Sequence, residues 1–468
     1  MNAGRLRSEL RALIALATPI MIAQLAGTAM GFADTLMAGQ VGAKDLAAVA
    51  LGNSLWLPVF LLMNGTLLAT TLSVARYFGK NHSERIGPLV RQAAWLGIVI
   101  GSLCTALLWN AQPILHLMQI EDSLSALTIA YLRALACGFP AMALYQVLRC
   151  LSDGLGHSRP GMVTGICGLL LNIPLNYCLI HGKLGLPAMG AVGCGWATAW
   201  AMLFMLGGML FWVRYADYYR PCRLFQRFDW PSWPHLGRLL SIGLPIGVAI
   251  LAEVSVFSVI ALLVAGLGEA PVAGHQVTLS VTSVVFMIPL SLGMAVTVRV
   301  GQALGRQAPG DALFIAKVGM GTALCYAGVS ASCIALLSER IASLYTSDPQ
   351  IIAVASGLLL LAALFQFSDG LQITAAGALR GYQDTRMIML LTLIAYWGIG
   401  LPIGAILGLT DWFGPASGPY GLWQGLIVGL SCAALLLGMR LSHRARREIL
   451  LRNEPQDNAA INPAPLRS

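Results

Sequence analysis

The sequence predicts an all-α membrane protein of twelve transmembrane helices arranged as two pseudo-symmetric six-helix bundles. Three observations carry this expectation: a composition too apolar for water, a succession of membrane-length hydrophobic runs, and an internal repeat.

Of the 468 residues, 57% are hydrophobic and 10% charged, and the mean hydropathy is +0.74. A soluble chain carries about 25% charged residues, so most of this surface must face lipid. The 51 glycines fit membrane helices, where backbones approach closely. The net charge of +9 is explained by basic loops held on the cytoplasmic side, so no nucleic-acid partner is expected. Ten cysteines are scattered without a CxxC pair and read as small buried hydrophobes.

Apolar runs of about 20 residues span the hydrocarbon. Twelve occur, near 12–36, 47–75, 89–109, 127–148, 162–180, 190–213, 239–265, 272–298, 318–338, 351–379, 387–409 and 418–439. The first follows Arg5, Arg7 and Arg11 but is too long for a signal-peptide core, so it reads as a spanning helix. Pro19, Pro58, Pro140, Pro174, Pro245, Pro289 and Pro402 fall inside runs and predict bent helices.

Loop charge sets the orientation. With the N-terminus inside, 25 of the 29 Lys and Arg fall on the inner side, leaving only Lys44, Arg133, Lys183 and Arg340 outside. Both termini are therefore expected in the cytoplasm.

The chain repeats itself. Thr18-Pro19-Ile20 matches Leu244-Pro245-Ile246, and Gly79-Lys80 matches Gly305-Arg306, at an offset of 226. Gly154 matches Gly381 and Arg159 matches Arg386 at 227; Gly190 and Gly193 match Gly418 and Gly421 at 228. The expected organisation is a lobe over 1–213, a linker over 214–238, a second lobe over 239–440 and a polar, disordered tail over 441–468. Two halves of six helices have parallel topology and are related by an axis along the membrane normal.

Of the 20 acidic residues, only Asp34, Glu253 and Asp369 fall inside spans, without an evident Lys or Arg partner at that depth. A charge at mid-bilayer costs about 2.5–3.5 kcal/mol on insertion scales and marks an ion or substrate path. None is duplicated: the repeat places Gly27 opposite Glu253, Met142 opposite Asp369 and Ile260 opposite Asp34. Such carboxyls can carry a proton across, hold Na⁺ with other oxygens, or compensate a lipophilic cation. If the ion is Na⁺, Glu253 and Asp369 are its expected ligands; no other cofactor is expected. The four Lys precede Asp45, Asn81, Leu184 and Val318, so there is no phosphate-binding loop, and the driving force is an ion gradient or a partner. No constellation of an enzyme is visible.

The stretch TPIMIAQLAGTAMGFADTLMAGQVGAKDLAAVALGNS (18–54) resembles the first two helices of the multidrug and toxic compound extrusion family. VAGHQVTLSV (272–281) and AAGALRGYQDTR (375–386) resemble its eighth helix and the loop after its tenth, and Glu253 with Asp369 resembles the NorM-like branch. The resemblance implies a V-shaped, monomeric exporter of small cationic or amphipathic drugs and dyes, working in the lipid bilayer in exchange for Na⁺ or H⁺. It implies coupling at Glu253 and Asp369 in the second lobe and at Asp34 in the first. It places Asn172, Asn176 and Thr198 in the polar cluster around Asp34, and Gln276 as cavity lining, with His275 beside it in packing. A flippase of lipid-linked precursors would need intramembrane Lys or Arg; a non-transporting assembly subunit would not need the repeat and unpaired acids.

Overall fold

Hydrocarbon supplies no hydrogen-bond partner, so a lipid-facing backbone must satisfy itself within helices. The computed structural model describes residues 3–183, 185, 187–412 and 415–453. Among these, eleven helices are long and apolar enough to cross a membrane, and a bent pair makes a twelfth. They are α1 (Ala3–Val41), α2 (Ala43–Gly79), α3 (Ile86–Trp109), α4 (Asp122–Ala136 with Phe139–Gly154), α5 (Arg159–His181) and α6 (Ala191–Tyr215). The second half supplies α7 (Trp233–Ala265), α8 (Glu269–Gly305), α9 (Pro309–Ser343), α10 (Pro349–Gly381), α11 (Thr385–Leu409) and α12 (Pro419–Asn453). Large apolar side chains on their outer faces, such as Leu336 at 85% exposed, have only lipid to meet.

Proline explains two local departures. α4 bends by 43° where Gly138 precedes Phe139-Pro140. α11 widens into a π-helical turn at Ile394–Gly400 just before Pro402, whose missing N–H frees a carbonyl one turn earlier.

The repeat reaches the backbone. Left-handed residues occur at Asn81 (φ 59°) and Gln307 (φ 58°), at Gly156 (86°) and Gln383 (62°), and at Gly190 (54°) and Gly418 (59°). These pairs lie at offsets of 226, 227 and 228, so equivalent turns close equivalent loops. Hydrogen bonds follow: Met189 N donates to Leu179 O (3.0 Å), as Ser417 N does to Leu407 O (3.1 Å).

The halves meet where α2 packs on α7 and α8, and where α1 packs on α8. One hydrophobic cluster joins Leu13, Leu16, Ile20 and Ala75 to Val296, Val300 and Ala375 across this seam. Polar contacts cross it on the face that carries the chain termini. Arg299 donates to Glu9 at 2.8 and 2.9 Å, Arg5 pairs with Asp311, Gln302 donates to Gly154 O (3.1 Å) and Arg76 to Gln383 (3.1 Å).

At the crossing of α2 and α7, a Cβ on Gly65 would sit 2.5 Å from Gly247 Cα, and one on Gly247 would sit 2.6 Å from Leu62 O. Backbone cannot yield as a side-chain tip can. Gly247→Val is therefore expected to cost about 1–3 kcal/mol or more through overpacking, read as a lowered thermal midpoint in detergent. Gly27→Ala, whose Cβ meets nothing within 4 Å, should leave the midpoint unchanged.

The linker is strapped to α3: Arg91 donates to Asp229 (2.7 Å), Gln92 to Trp230 O (2.8 Å) and Trp95 to Asp229 O (3.0 Å). The expected disordered tail is corrected over 441–453, where α12 continues. Leu441 and Ala445 are buried against the core, while Arg440 pairs with Asp384 (2.7 Å) and Arg444 with Glu448 (3.1 Å). The polar count concealed an apolar stripe at i, i+4. Residues 454–468 of the expected tail lie outside the described residues.

Candidate ion and substrate sites in the two halves

In the first half, α1, α5 and α6 bring Asp34, Asn172, Asn176 and Thr198 together, all buried. Asp34 Oδ1 accepts from Asn176 (2.5 Å) and Oδ2 from Thr198 (2.7 Å). Asn172 donates to Thr198 (3.2 Å), and Asn176 to Asn172 (2.9 Å). The spacing of Asn172 and Asn176 by one helical turn stacks both amides toward α1. Each Asp34 oxygen thus has a donor, while Asn176 Oδ1 is left without a partner among the described residues.

The second half is built differently. Glu253 on α7 is half-buried; Asp369 on α10 is buried and within electrostatic reach of it. The hydroxyl of Tyr396, in the π-helical turn of α11, stands near both carboxyls. Trp397 of the same turn donates to Ala252 O (3.2 Å), pinning the turn to α7 next to Glu253. Gln366 and Gln372 lie three residues either side of Asp369, on its face of α10. Among the described residues, four buried polar atoms on these helices have no hydrogen-bond partner: Asp369 Oδ2, Gln372 Oε1, Gln366 Nε2 and Tyr396 Oη. Buried polar groups are seldom left unpaired, so such a concentration marks a place where a ligand completes the bonding. Three of the four are oxygens, the hard donor type that, with the Glu253 carboxyl, suits an alkali cation or a proton.

His275 accepts from Trp423 Nε1 (3.0 Å) on α12 and is buried in packing. Gln276 is exposed on α8 and joins neither cluster by a side-chain hydrogen bond among the described residues.

One sequence expectation is corrected. Two basic residues read as inner-loop residues, Arg149 and Arg380, lie buried within α4 and α10 at 7% and 6% exposed. They sit near helix ends, where hydropathy alone cannot separate loop from span. Arg149 pairs with Asp153 at 3.8 Å, and Arg380 lies within electrostatic reach of Glu253. Asp153 and Arg380 also line one cavity of about 20 Å³ between the halves. Its other walls include Leu68 with Met294, Thr71 with Thr297 and Leu72 with Val298, each pair at an offset of 226. The cavity therefore lies on the pseudo-twofold axis, and the repeat has replaced an acid at 153 with a base at 380.

Sequence reasoning passed over Gln366, Gln372, Tyr396, Asp153 and Arg380. The signals were present: i±3 spacing around Asp369, and the offset of 227 that sets Asp153 opposite Arg380 just before the matched glycines 154 and 381.

A family model described as MatE matches residues 19–178 and 245–406, one segment in each half. The multidrug resistance protein PmpM of Pseudomonas aeruginosa is 60% identical over 446 residues, covering 95% of this chain and 94% of that protein. A solved structure titled as the outward-facing conformation of a multidrug resistance MATE family transporter of the MOP superfamily matches at a TM-score of 0.85 and 21% identity, covering 94% of this chain and 97% of that one. The eukaryotic MATE transporter AtDTX14 matches at 0.82 and 20% identity, covering 95% and 98%. At these identities the two structures establish a shared fold. Matched in both halves by the family model, and by a close relative along nearly its whole length, the chain belongs to the MatE family of multidrug and toxic compound extrusion transporters.

Proposed function

We propose that this protein is an ion-coupled antiporter that exports cationic or amphipathic drugs and dyes by alternating access. The observation that carries the reading is the set of unpartnered buried polar atoms around Glu253 and Asp369. Na⁺ or H⁺ would enter past half-buried Glu253 and settle against Asp369, where Tyr396 and Gln372 complete its bonding. The relative PmpM is named a multidrug resistance protein, which supports the substrate class.

The two lobes, 1–213 and 239–440, would rock about the α2–α7 and α1–α8 contacts, with 214–238 as a strap. The polar contacts Arg299–Glu9, Arg5–Asp311, Gln302–Gly154 and Arg76–Gln383 all hold the termini face shut. Such bonds can exchange for water at little net cost, which suits a latch that must open. Both termini lie in the cytoplasm of a bacterial inner membrane, and the working unit is a monomer without a resident cofactor. Asp34, satisfied by its own lobe, would respond to protonation by releasing Thr198 and Asn176.

The test is ethidium efflux from proteoliposomes under separately imposed Na⁺ and pH gradients. Efflux driven by one or both gradients supports the reading; efflux indifferent to both refutes ion coupling.

A further inference from the structure

We infer that the second half holds an anionic phospholipid in a groove between α9, α10 and α12, on the leaflet that faces the chain termini. The groove has a volume of about 810 Å³. Leu371, Leu435 and Met439 line its walls, and Leu435 and Met439 are 67% and 61% exposed. Gly438 between them opens it further, since a Cβ there would meet nothing within 4 Å. At its floor Ser368 and Ser431 hydrogen bond to each other (2.7 Å), so no polar atom of that pair calls for a ligand. At its mouth stand His443 and Arg446.

Length and charge both favour a lipid. Eleven residues separate Leu435 from Arg446, which in an α-helix is a rise of about 16 Å. That is about half the hydrocarbon thickness, the reach of one acyl chain from its headgroup. The neighbouring Arg440 and Arg444 are engaged with Asp384 and Glu448, whereas Arg446 makes no ion pair among the described residues. Basic groups between membrane helices at the interface recognise anionic headgroups. A lipophilic cation would be repelled by Arg446, so the groove is not a second drug site. Its lining includes neither Glu253 nor Asp369, although Ser368 is the chain neighbour of Asp369, and the inference does not depend on the proposed coupling.

The test is native mass spectrometry of the full-length protein in neutral detergent, titrated with dioleoylphosphatidylglycerol or dioleoylphosphatidylcholine. Phosphatidylglycerol should bind more tightly. Arg446→Ala should weaken it about fivefold and leave phosphatidylcholine unaffected. Gly438→Phe, which fills the groove without touching a charge, should abolish the preference. Each variant's lipid-free thermal midpoint should match the parent's, separating loss of the site from loss of fold. Equal binding of both lipids, or undiminished preference in both variants, would overturn the proposal. So would a dimer that buries the groove against a second copy.

Discussion

Glu253→Gln and Asp369→Asn are each expected to abolish gradient-driven ethidium efflux in proteoliposomes, and Asp369→Asn, which has no basic partner to strand among the described residues, to raise or leave unchanged the thermal midpoint of the purified protein. The opposite signs follow from one cause. A carboxyl at membrane depth costs up to about 2.5–3.5 kcal/mol, so its neutral isostere relieves the bundle. Asp369 Oδ2 has no hydrogen-bond partner, so little is lost in exchange. The proposed coupling ion, however, would lose a charged ligand worth about 1.5–3 kcal/mol, a drop of about ten- to a hundredfold in its affinity. A residue kept for structure would behave in reverse, with stability falling and transport following it. Normal efflux by both variants would sink the site assignment. Unequal losses are also informative: Glu253 is half-buried and Asp369 fully buried, so under the proposed path Asp369→Asn should be the more complete.

The second large effect concerns Arg380. Removing one member of a buried charge set strands the others, at about 3–5 kcal/mol. Arg380 faces Glu253 within its own half and shares the axial cavity with Asp153 of the other half. Asp153 keeps Arg149 at 3.8 Å whatever happens at 380. Arg380→Gln is therefore expected to be strongly destabilising and Asp153→Asn to be partly rescued when combined with it. In a double-mutant cycle on thermal stability the coupling should exceed about 0.5 kcal/mol, the scatter of independent sites. Strict additivity would mean that the two charges act separately within their own lobes. Coupling would make this pair a connection between the Glu253–Asp369 cluster and the seam between the halves.

Much of this protein was determined by its sequence alone, because lipid is a severe solvent. It demands helices of a set length and penalises every intramembrane charge, so the spans and the three acids at 34, 253 and 369 stand out individually. The duplication was equally legible, since glycines at close backbone approaches, such as Gly79 with Gly305 and Gly154 with Gly381, keep register across the repeat.

What only the tertiary structure decided is which polar groups meet. Gln366, Gln372 and Tyr396 are uncharged, and such residues also serve ordinary helix contacts, so no sequence penalty singles them out. They stand out only when α7, α10 and α11 converge and leave four atoms unpaired among the described residues. Arg380 and Asp153 sat at span ends, where hydropathy changes too gradually to tell a buried charge from a loop charge. The fate of the three acids likewise belongs to packing: Asp34 is enclosed by donors from α5 and α6, while Glu253 and Asp369 share a site short of them. Composition reports the cost of a buried carboxyl, but only the fold determines whether the protein itself or a passing ion offsets it.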